Sequence, residues 1–474
     1  MPIHWRKILP NDTLSGLQFF QLFRYGSVFL ISIILPRAGL FPDQVGLFEA
    51  FLFFAGVVSY FWVTGLIQAL LPLASNTRAM VTSDELLVTQ KSVTRHSSLV
   101  TSPKSLVTRH SSLEFFNAYL LLLLFSALSA GVLLLASPML QRLLGQELPG
   151  DIIWLVILYL ILFAPSTLVE YWYVITDQTK KLVRYGVVAF TLQILMVGIP
   201  VIIGLGVKGA IWGMIGAGGF RMIWVLVILI RNGDFSISLP FWKNYLGLGT
   251  PILLSVLLSG SAQYVNGFII SAKFDPAVFA IFRYGARELP LVALLAHALS
   301  NAIVPAIIRD GTAAGLKQLR DRSSRMASWM FPLTIFLVLA AYFLFPSIYG
   351  INFLESAGVF NLFLLLITSR LLFPQTVLIA LKKTRILMTA SLLELIINIS
   401  LSLLLVRIWG IRGVALATVI AYYFERAFLM TYTRVRLSIP ADQYTDVRKH
   451  FTWSAILLIA YLVAELVIYP LMRG

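Results

Sequence analysis

Long apolar runs recur along the whole chain and are separated by short polar stretches. A helix of about 20 apolar residues crosses a hydrocarbon layer of roughly 30 Å, whereas a strand of a membrane barrel alternates apolar and polar positions. Residues 121–135 are continuously apolar and do not alternate. The pattern therefore predicts an all-α polytopic integral membrane protein. Thirteen helices are predicted, over residues 14–35, 46–72, 114–136, 151–172, 183–205, 209–230, 246–271, 277–305, 328–349, 356–380, 386–406, 412–432 and 452–471.

Short motifs between the apolar runs occur twice, in the same order. GVKGA at 206–210 returns as GIRGV at 410–414, and FPDQVGLFEA at 41–50 resembles FDPAVFAIFRY at 274–284, which aligns Glu49 with Arg283. Repeats of this kind are typical of transporters with two halves related by an axis along the membrane normal. The sequence predicts two six-helix bundles.

The repeat gives the expected domain boundaries. The bundles cover residues 1–235 and 236–436, and a linker with one extra transmembrane helix covers 437–474. The first bundle carries an insertion at 81–113, in which VTRHSSL occurs twice. A duplicated Ser/Thr-rich segment without apolar periodicity is typical of a flexible loop. Its two histidines are expected to face solvent, and we predict no metal site.

Composition and charge agree with a membrane protein and give its orientation. The chain is 59% hydrophobic and 12% charged, with a net charge of +16, against about 25% charged residues in soluble domains. Of its 37 Lys and Arg residues, 24 lie in alternate loops on one side and 7 on the other. Because Lys and Arg accumulate on the cytoplasmic side, the N-terminus is expected in the cytoplasm and the C-terminus outside it. Nucleic-acid binding is not supported, since the basic residues lie between the spans.

Six arginines fall inside the predicted spans. A charged side chain at the bilayer centre costs roughly 2.5–3.5 kcal/mol on insertion scales, so these arginines need wet or paired positions. Arg370 and Arg426 are expected near helix ends, with their side chains extended to the interface, and Arg221 is left unassigned. The full set is Arg24, Arg221, Arg283, Arg287, Arg370 and Arg426.

The predicted helix 277–305 places four polar residues on one face at 100° per residue: Arg283, Arg287, His297 and Asn301. Glu288 points away from that face. Two arginines four residues apart repel each other, so this face needs an acidic partner or a bound anion. By the repeat, Glu49 is placed opposite Arg283. Two hypotheses remain open: the arginines bind an anionic substrate, or Glu49 and Arg283 form a purely structural ion pair.

Polar stripes on other predicted helices add candidate cavity residues. Such stripes serve helix packing as often as they serve substrate contact. The further candidates for a substrate-binding cavity are Gln21, Arg24, Tyr60, Ser259, Gln263 and Asn266. Glu49, Glu288 and Glu394 are the candidates for an ion pair or for coupling to an H⁺ or Na⁺ gradient.

Taken in order, these motifs resemble the multidrug/oligosaccharidyl-lipid/polysaccharide (MOP) superfamily, and within it the Wzx-type flippases of O-antigen and other polysaccharides. The resemblance covers about residues 1–436. It depends on Pro-Asp-x-x-Gly-Leu-Phe before the second helix, the Gly-x-x-Gly starts of the sixth and twelfth helices, and the dibasic turns before the fifth and eleventh. The inserted loop and the thirteenth helix depart from the family pattern, which usually has twelve or fourteen helices.

The resemblance implies a function. It implies a multi-pass protein of the bacterial cytoplasmic (inner) membrane that moves a polyprenyl-pyrophosphate-linked oligosaccharide by alternating access through a cationic central cavity. The expected partners are this substrate, membrane lipids and enzymes of polysaccharide assembly; a monomer without cofactor is expected. The alternatives are a MATE-like exporter of drugs or other small molecules and a lipid II-type flippase. A membrane-embedded enzyme is disfavoured because the outer loops are short and no phosphate-binding loop or nucleophile motif is present.

Overall fold

The computed structural model describes residues 13–92, 103–144, 150–232, 235–287 and 290–473. Within these ranges the regular secondary structure is entirely helical. The helices are α1 Thr13–Arg37, α2 Pro42–Ser92, α3 Pro103–Leu144, α4 Gly150–Ser166, α5 Leu168–Ile175, α6 Thr179–Ile202, α7 Gly206–Asn232, α8 Leu239–Lys273, α9 Pro276–Gly285, α10 Pro290–Asp310, α11 Thr312–Tyr349, α12 Leu354–Leu364, α13 Leu366–Arg370, α14 Pro374–Ala380, α15 Thr384–Leu437, α16 Val447–Val463 and α17 Tyr469–Arg473.

The predicted all-α membrane fold is confirmed. Among the described residues, ten stretches are long and apolar enough to cross a membrane. One of them, α15, holds two predicted helices that meet at a kink, where Trp409 and Gly410 leave the helical conformation. The last stretch, Val447–Arg473, has the length and composition of a span and contains the predicted thirteenth helix.

The predicted continuous helix 277–305 is wrong. α9 ends at Gly285 and α10 begins at Pro290. Proline has no N–H to donate to the preceding turn, and its ring clashes with the carbonyl four residues earlier. Arg287 therefore lies in the break between two helices, on a separate segment from Asn301.

The insertion at 81–113 also differs from the prediction. α2 continues from its membrane span through Ser92, and α3 begins at Pro103. The loop prediction is therefore wrong for both ends of the insertion, and residues 93–102 lie outside the described ranges. Adding a residue to an existing helix costs less than starting a new one, so Ser/Thr-rich sequence can continue a stable span.

The chain divides into two compact units. The first comprises residues 1–40 and 50–260, and the second comprises 41–49 and 261–474. This grouping differs from the predicted boundary at 235 in assigning 236–260 to the first unit and 41–49 to the second. The second assignment has a local cause: a Cβ added at Gly46 would lie 1.8 Å from the carbonyl oxygen of Pro276, so only glycine permits this contact.

Each unit is built around buried aromatic and aliphatic side chains. In the first unit, α1 packs along α6, α6 along α7, and α7 along α4. Its core includes Trp62, Trp172 and Tyr245, and the Tyr245 hydroxyl donates to the carbonyl of Leu66 over 2.8 Å. In the second unit, α11 packs against α10, α12 and α16, while α12 and α14 pack against α15.

Matching turns in the two units carry the sequence repeat into the backbone. Gly206 and Gly410, the first glycines of the two Gly-x-x-Gly motifs, have φ values of 63° and 56°. The preceding turns place Asp177 and Lys382 at 55° and 56°. Residues other than glycine rarely adopt a positive φ. The motif glycines therefore favour the turns that bring consecutive helices together.

Candidate functional site

Glu49 lies between two arginines within the second unit. Its Oε2 atom is 3.3 Å from Nε of Arg283, and its Oε1 atom is 2.5 Å from Nη2 of Arg287. The carboxylate is 4% exposed, against 35% and 27% for the two arginine side chains. The ion pair that the repeat alignment suggested is present, and it extends to a second arginine.

The break between α9 and α10 allows Arg287 to reach this carboxylate. Its guanidinium carbon lies 4.3 Å from the centre of the Tyr284 ring, a cation–π distance. Tyr284 is itself stacked on Phe353, with ring centres 4.7 Å apart. Gly285 allows α9 to approach α12 closely, because a Cβ at this position would lie 2.4 Å from the carbonyl oxygen of Ser356. Aromatic packing thus fixes the position of Arg287.

One buried carboxylate is shared by two guanidinium groups, those of Arg283 and Arg287. Glu49 accepts bonds from both arginines, whereas Nη1 of Arg287 is buried without a hydrogen-bond partner among the described residues. Because both arginines are partly exposed, an anion can approach them. Guanidinium groups suit phosphate, to which they donate paired charge-assisted hydrogen bonds.

Asn301 of the predicted arginine stripe does not join this cluster. Asn301 lies on α10 and is exposed. The side chain of His297 and residue Glu288 lie outside the described part of the chain. Proposing one polar face over 283–301 was wrong, because that inference required an unbroken helix.

The first unit has its own paired arginine. Arg24 on α1 lies 3.9 Å from Glu170 on α5, measured from Nη1 to Oε1. Gln21 and Tyr60, two other predicted cavity residues, are partly exposed. Sequence reasoning missed Glu170, although it is the only acidic residue between Ile152 and Ile175. An isolated acid within an apolar run was the available signal.

Arg221, left unassigned by the sequence, is buried in the first unit. Its Nη2 atom donates to Oε1 of Gln193 over 2.8 Å. Its guanidinium carbon lies 4.8 Å from the centre of the Phe190 ring and 5.6 Å from that of Phe163. These contacts are those of a residue that holds α6, α7 and α4 together.

Asn266 is also a packing residue. It is buried and its Nδ2 atom donates to Oγ1 of Thr418 over 2.8 Å, linking α8 to α15. This is the helix-packing role that polar stripes commonly have. Ser259 and Gln263, the other candidates on this helix, have side chains outside the described part of the structure.

A second cluster of charged residues lies within the second unit, near the segments of α15 before and after its kink at Trp409 and Gly410. Glu394 is buried, and its Oε1 atom has no hydrogen-bond partner among the described residues. Arg426 is buried as well and donates to Oε1 of Gln375 over 2.7 Å. Its predicted extension to the interface was therefore wrong. Arg370 lies 5.5 Å from the centre of the Tyr422 ring.

Sequence reasoning also missed a network that joins the extra helix to the second unit. Arg412, in the second Gly-x-x-Gly motif, donates from Nη1 to Oε2 of Glu465 over 2.7 Å and from Nη2 to Oε2 of Glu355 over 3.2 Å. The Tyr342 hydroxyl donates to Oε1 of Glu465 over 2.6 Å. Tyr469 donates to Glu355 and lies under the Arg412 guanidinium.

Comparison with known proteins agrees with this architecture. A family model described as "Polysaccharide biosynthesis protein" matches residues 104–358, more than half of the chain. No curated protein matches the sequence.

Solved structures share the fold at low sequence identity. The lipid II flippase MurJ in an inward closed conformation has a TM-score of 0.63 at 15% identity, over 96% of this chain and 99% of that one. An inward-facing MATE multidrug transporter of the MOP superfamily has a TM-score of 0.61 at 14% identity, over 90% and 98%. A MOP superfamily transporter from Pyrococcus furiosus, described as having a binding pocket of reverse polarity, has a TM-score of 0.52 at 14% identity, over 90% and 94%. The chain has the MOP fold.

Proposed function

The chain belongs to the polysaccharide biosynthesis protein family, and we propose that it is a flippase for a polyprenyl-pyrophosphate-linked oligosaccharide. The proposed location is the bacterial cytoplasmic membrane, with the N-terminus on the cytoplasmic side. The substrate has a strongly anionic head group that a bilayer excludes, so its transporter must offer a cationic site within the membrane.

The observation that supports this proposal is the pair of partly exposed guanidinium groups, those of Arg283 and Arg287, that share the carboxylate of Glu49. Each arginine donates a hydrogen bond to that carboxylate. A pyrophosphate brings negative charge and acceptor oxygens, which suit guanidinium N–H donors. In the first unit, Arg24 is a separate candidate anion ligand, and its side chain is partly exposed.

Substrate binding and release can occur if the two arginines exchange the Glu49 carboxylate for the pyrophosphate of the substrate. When the pyrophosphate binds, it competes with Glu49 for the two guanidinium groups, and when it leaves, the carboxylate restores both ion pairs. Substrate release is then not opposed by two uncompensated arginines. Coupling to an H⁺ or Na⁺ gradient is proposed to act through Glu49 or Glu394. We further propose that the protein acts as a monomer and associates with enzymes of polysaccharide assembly.

The direct test is a flipping assay in proteoliposomes. The purified protein is reconstituted with a fluorescent polyprenyl-pyrophosphate oligosaccharide, and movement is read as the fraction that becomes accessible to an impermeant quencher. Parallel vesicles carry lipid II or a cationic dye. Transport of the oligosaccharide lipid is expected. Transport of lipid II alone would favour the lipid II-type alternative, and transport of the dye alone would favour a multidrug exporter.

Substitutions test the head-group assignment. Loss of a charge-assisted hydrogen bond costs about 1.5–3 kcal/mol, which corresponds to roughly a ten- to hundred-fold loss of rate at limiting substrate. Arg287→Ala and Arg283→Ala are expected to lose this much, and Arg287→Lys less, because it keeps the charge without the paired donors. The matched control is Arg385→Ala, which removes an exposed arginine in the first turn of α15 and should leave transport unchanged.

A charge reversal separates substrate binding from a structural ion pair. If Arg283 serves only to pair with Glu49, the double variant Glu49→Arg with Arg283→Glu should regain transport. If Arg283 binds phosphate, the double variant should stay inactive, and Glu49→Gln should be tolerated better than Arg283→Gln. Full recovery would contradict the role of Arg283 and leave Arg287 as the anion ligand of the second unit.

A further inference from the structure

The first unit has an open apolar groove between α6 and α7. Its volume is about 750 Å³, within the range of small-molecule sites in proteins. Its walls include Leu195, Ile199 and Trp212, all partly exposed. Both helices are long and apolar enough to cross a membrane, so an apolar groove between them suits a lipid chain.

Glycines set the depth of the groove. A Cβ at Gly213 would lie 2.0 Å from the carbonyl oxygen of Met196, so the two helix backbones touch there. Gly216 also lines the groove, and a Cβ at this position would meet the sulfur of Met196 only at 3.4 Å. The groove is therefore a fixed feature of how α6 and α7 pack, and Gly216 is a position where a side chain can fill it.

The length of the groove matches one leaflet. Its lining residues extend along α6 from Leu192 to Pro200, a distance of about 12 Å at 1.5 Å per residue, and Leu205 lines it in the turn that follows. Half of the hydrocarbon core measures about 15 Å. One acyl chain of a phospholipid fits this length, whereas a polyprenyl chain that spans both leaflets does not.

A pair of opposite charges lies at the end of this groove. Lys208, which lines it, has its Nζ atom 3.9 Å from Oδ2 of Asp151. The two side chains are 76% and 80% exposed, so they are available to a ligand. A zwitterionic head group complements such a pair, with its phosphate on the lysine and its ammonium on the aspartate.

The sequence repeat indicates what this pair lacks. At an offset of 204 residues, Asp151 and Lys208 correspond to Glu355 and Arg412 in the second unit. There the same pair has a third partner, the carboxylate of Glu465 from the π-helical turn Ala464–Ile468. In the first unit the corresponding pair is exposed beside an open groove.

We propose that the groove binds one phospholipid with an ethanolamine head group, whose phosphate contacts Lys208, whose ammonium contacts Asp151 and whose acyl chain lies along α6 and α7. Basic positions between transmembrane helices recognise lipid head groups in this way. An anionic glycerol head group has no ammonium for Asp151, and a choline head group cannot donate a hydrogen bond to it.

Native mass spectrometry of the full-length protein tests the proposal. Delipidated protein in detergent is mixed with equal amounts of phosphatidylethanolamine, phosphatidylglycerol and phosphatidylcholine of the same acyl composition. One retained phosphatidylethanolamine is expected, at least five-fold above the other two lipids. Equal retention of all three lipids, or preference for phosphatidylglycerol, would overturn the proposal.

Two variants and one control test where the lipid binds. Lys208→Glu should lower phosphatidylethanolamine retention at least five-fold, and Gly216→Leu should lower it by filling the groove while leaving the head-group charges in place. Lys273→Glu is the matched control, since it reverses an exposed lysine at the end of another helix, and its retention should equal that of the unmodified protein. Size-exclusion chromatography verifies that each variant is folded. Folded variants at 208 and 216 that bind as well as the control would refute the site.

Discussion

Glu465 offers the sharpest test of how the extra helix is held. Changing Glu465 to Ala removes the acceptor of two hydrogen bonds, from Arg412 Nη1 at 2.7 Å and from the Tyr342 hydroxyl at 2.6 Å. The carboxylate is 13% exposed, so water replaces these partners only in part. Glu355 remains 3.2 Å from Arg412, so the arginine keeps one counter-charge.

The expected loss of stability follows from these contacts. A hydrogen bond to a charged group contributes about 1.5–3 kcal/mol, whereas hydrogen bonds between membrane helices average only about 0.6 kcal/mol. With Glu355 still in place, we expect Glu465→Ala to lower the free energy of unfolding by about 2 kcal/mol, near the lower end of the first range. For a unit of this size, that loss lowers Tm by about 4–8 °C.

The assay is thermal denaturation of the purified protein in one detergent at a fixed heating rate. The monodisperse fraction that remains is read by size-exclusion chromatography. Glu355→Ala is the control, because it removes the other carboxylate bound to Arg412. That side chain is 41% exposed, and exposed ion pairs contribute only about 0.2–1 kcal/mol.

Comparing the Tm shifts of the two glutamate variants shows whether burial determines how strongly each carboxylate stabilises the protein. Glu465→Ala should lower Tm clearly more than Glu355→Ala. A double-mutant cycle of Arg412→Ala with Glu465→Ala should give a coupling energy of about 1 kcal/mol or more, as residues in direct contact usually do. Equal shifts for the two glutamates, together with a coupling energy near zero, would refute this reasoning.

Three further predictions concern orientation, the insertion and helix packing. A cysteine introduced at Ser98 of this cysteine-free chain should resist an impermeant thiol reagent in intact cells and react after permeabilisation; labelling in intact cells would reverse the orientation. Deleting 81–113 should preserve membrane abundance and flipping, since the second half of the repeat lacks this segment; normal abundance without flipping would reveal a role for it. Gly213→Ala should destabilise the protein by about 1–3 kcal/mol through overpacking, read as a lower Tm, because the new Cβ would lie 2.0 Å from the Met196 carbonyl oxygen. Gly219→Ala, on the same helix with open space around it, should not lower Tm.

The ion pair between Glu49 and Arg283 could be predicted from the sequence because the internal repeat indicates which residues of the two halves lie near each other. Aligning the two halves placed these residues opposite each other although 234 positions separate them. The contact of Glu49 with Arg287 was not predictable in this way. It depends on the break between Gly285 and Pro290, which changes the direction of the side chain relative to a continuous helix.

The tertiary structure also decided the surroundings of the intramembrane arginines. Arg426 was expected to extend to the interface, yet it is buried and bonded to Gln375. Arg221 is bonded to Gln193 and covered by two aromatic rings. A linear sequence gives the depth of an arginine in a span, whereas its neighbours come from other helices.

The sequence by itself determined that this chain spans a membrane, where most spans lie and that its halves repeat. These properties follow from local composition, because an apolar run of sufficient length is inserted into lipid whatever lies elsewhere in the chain. Only the tertiary structure decided which charges meet, as at Arg412 and Glu465, 53 residues apart. Ion pairs and hydrogen bonds form only at separations of about 3–4 Å, and such distances between remote residues exist only once the helices have packed.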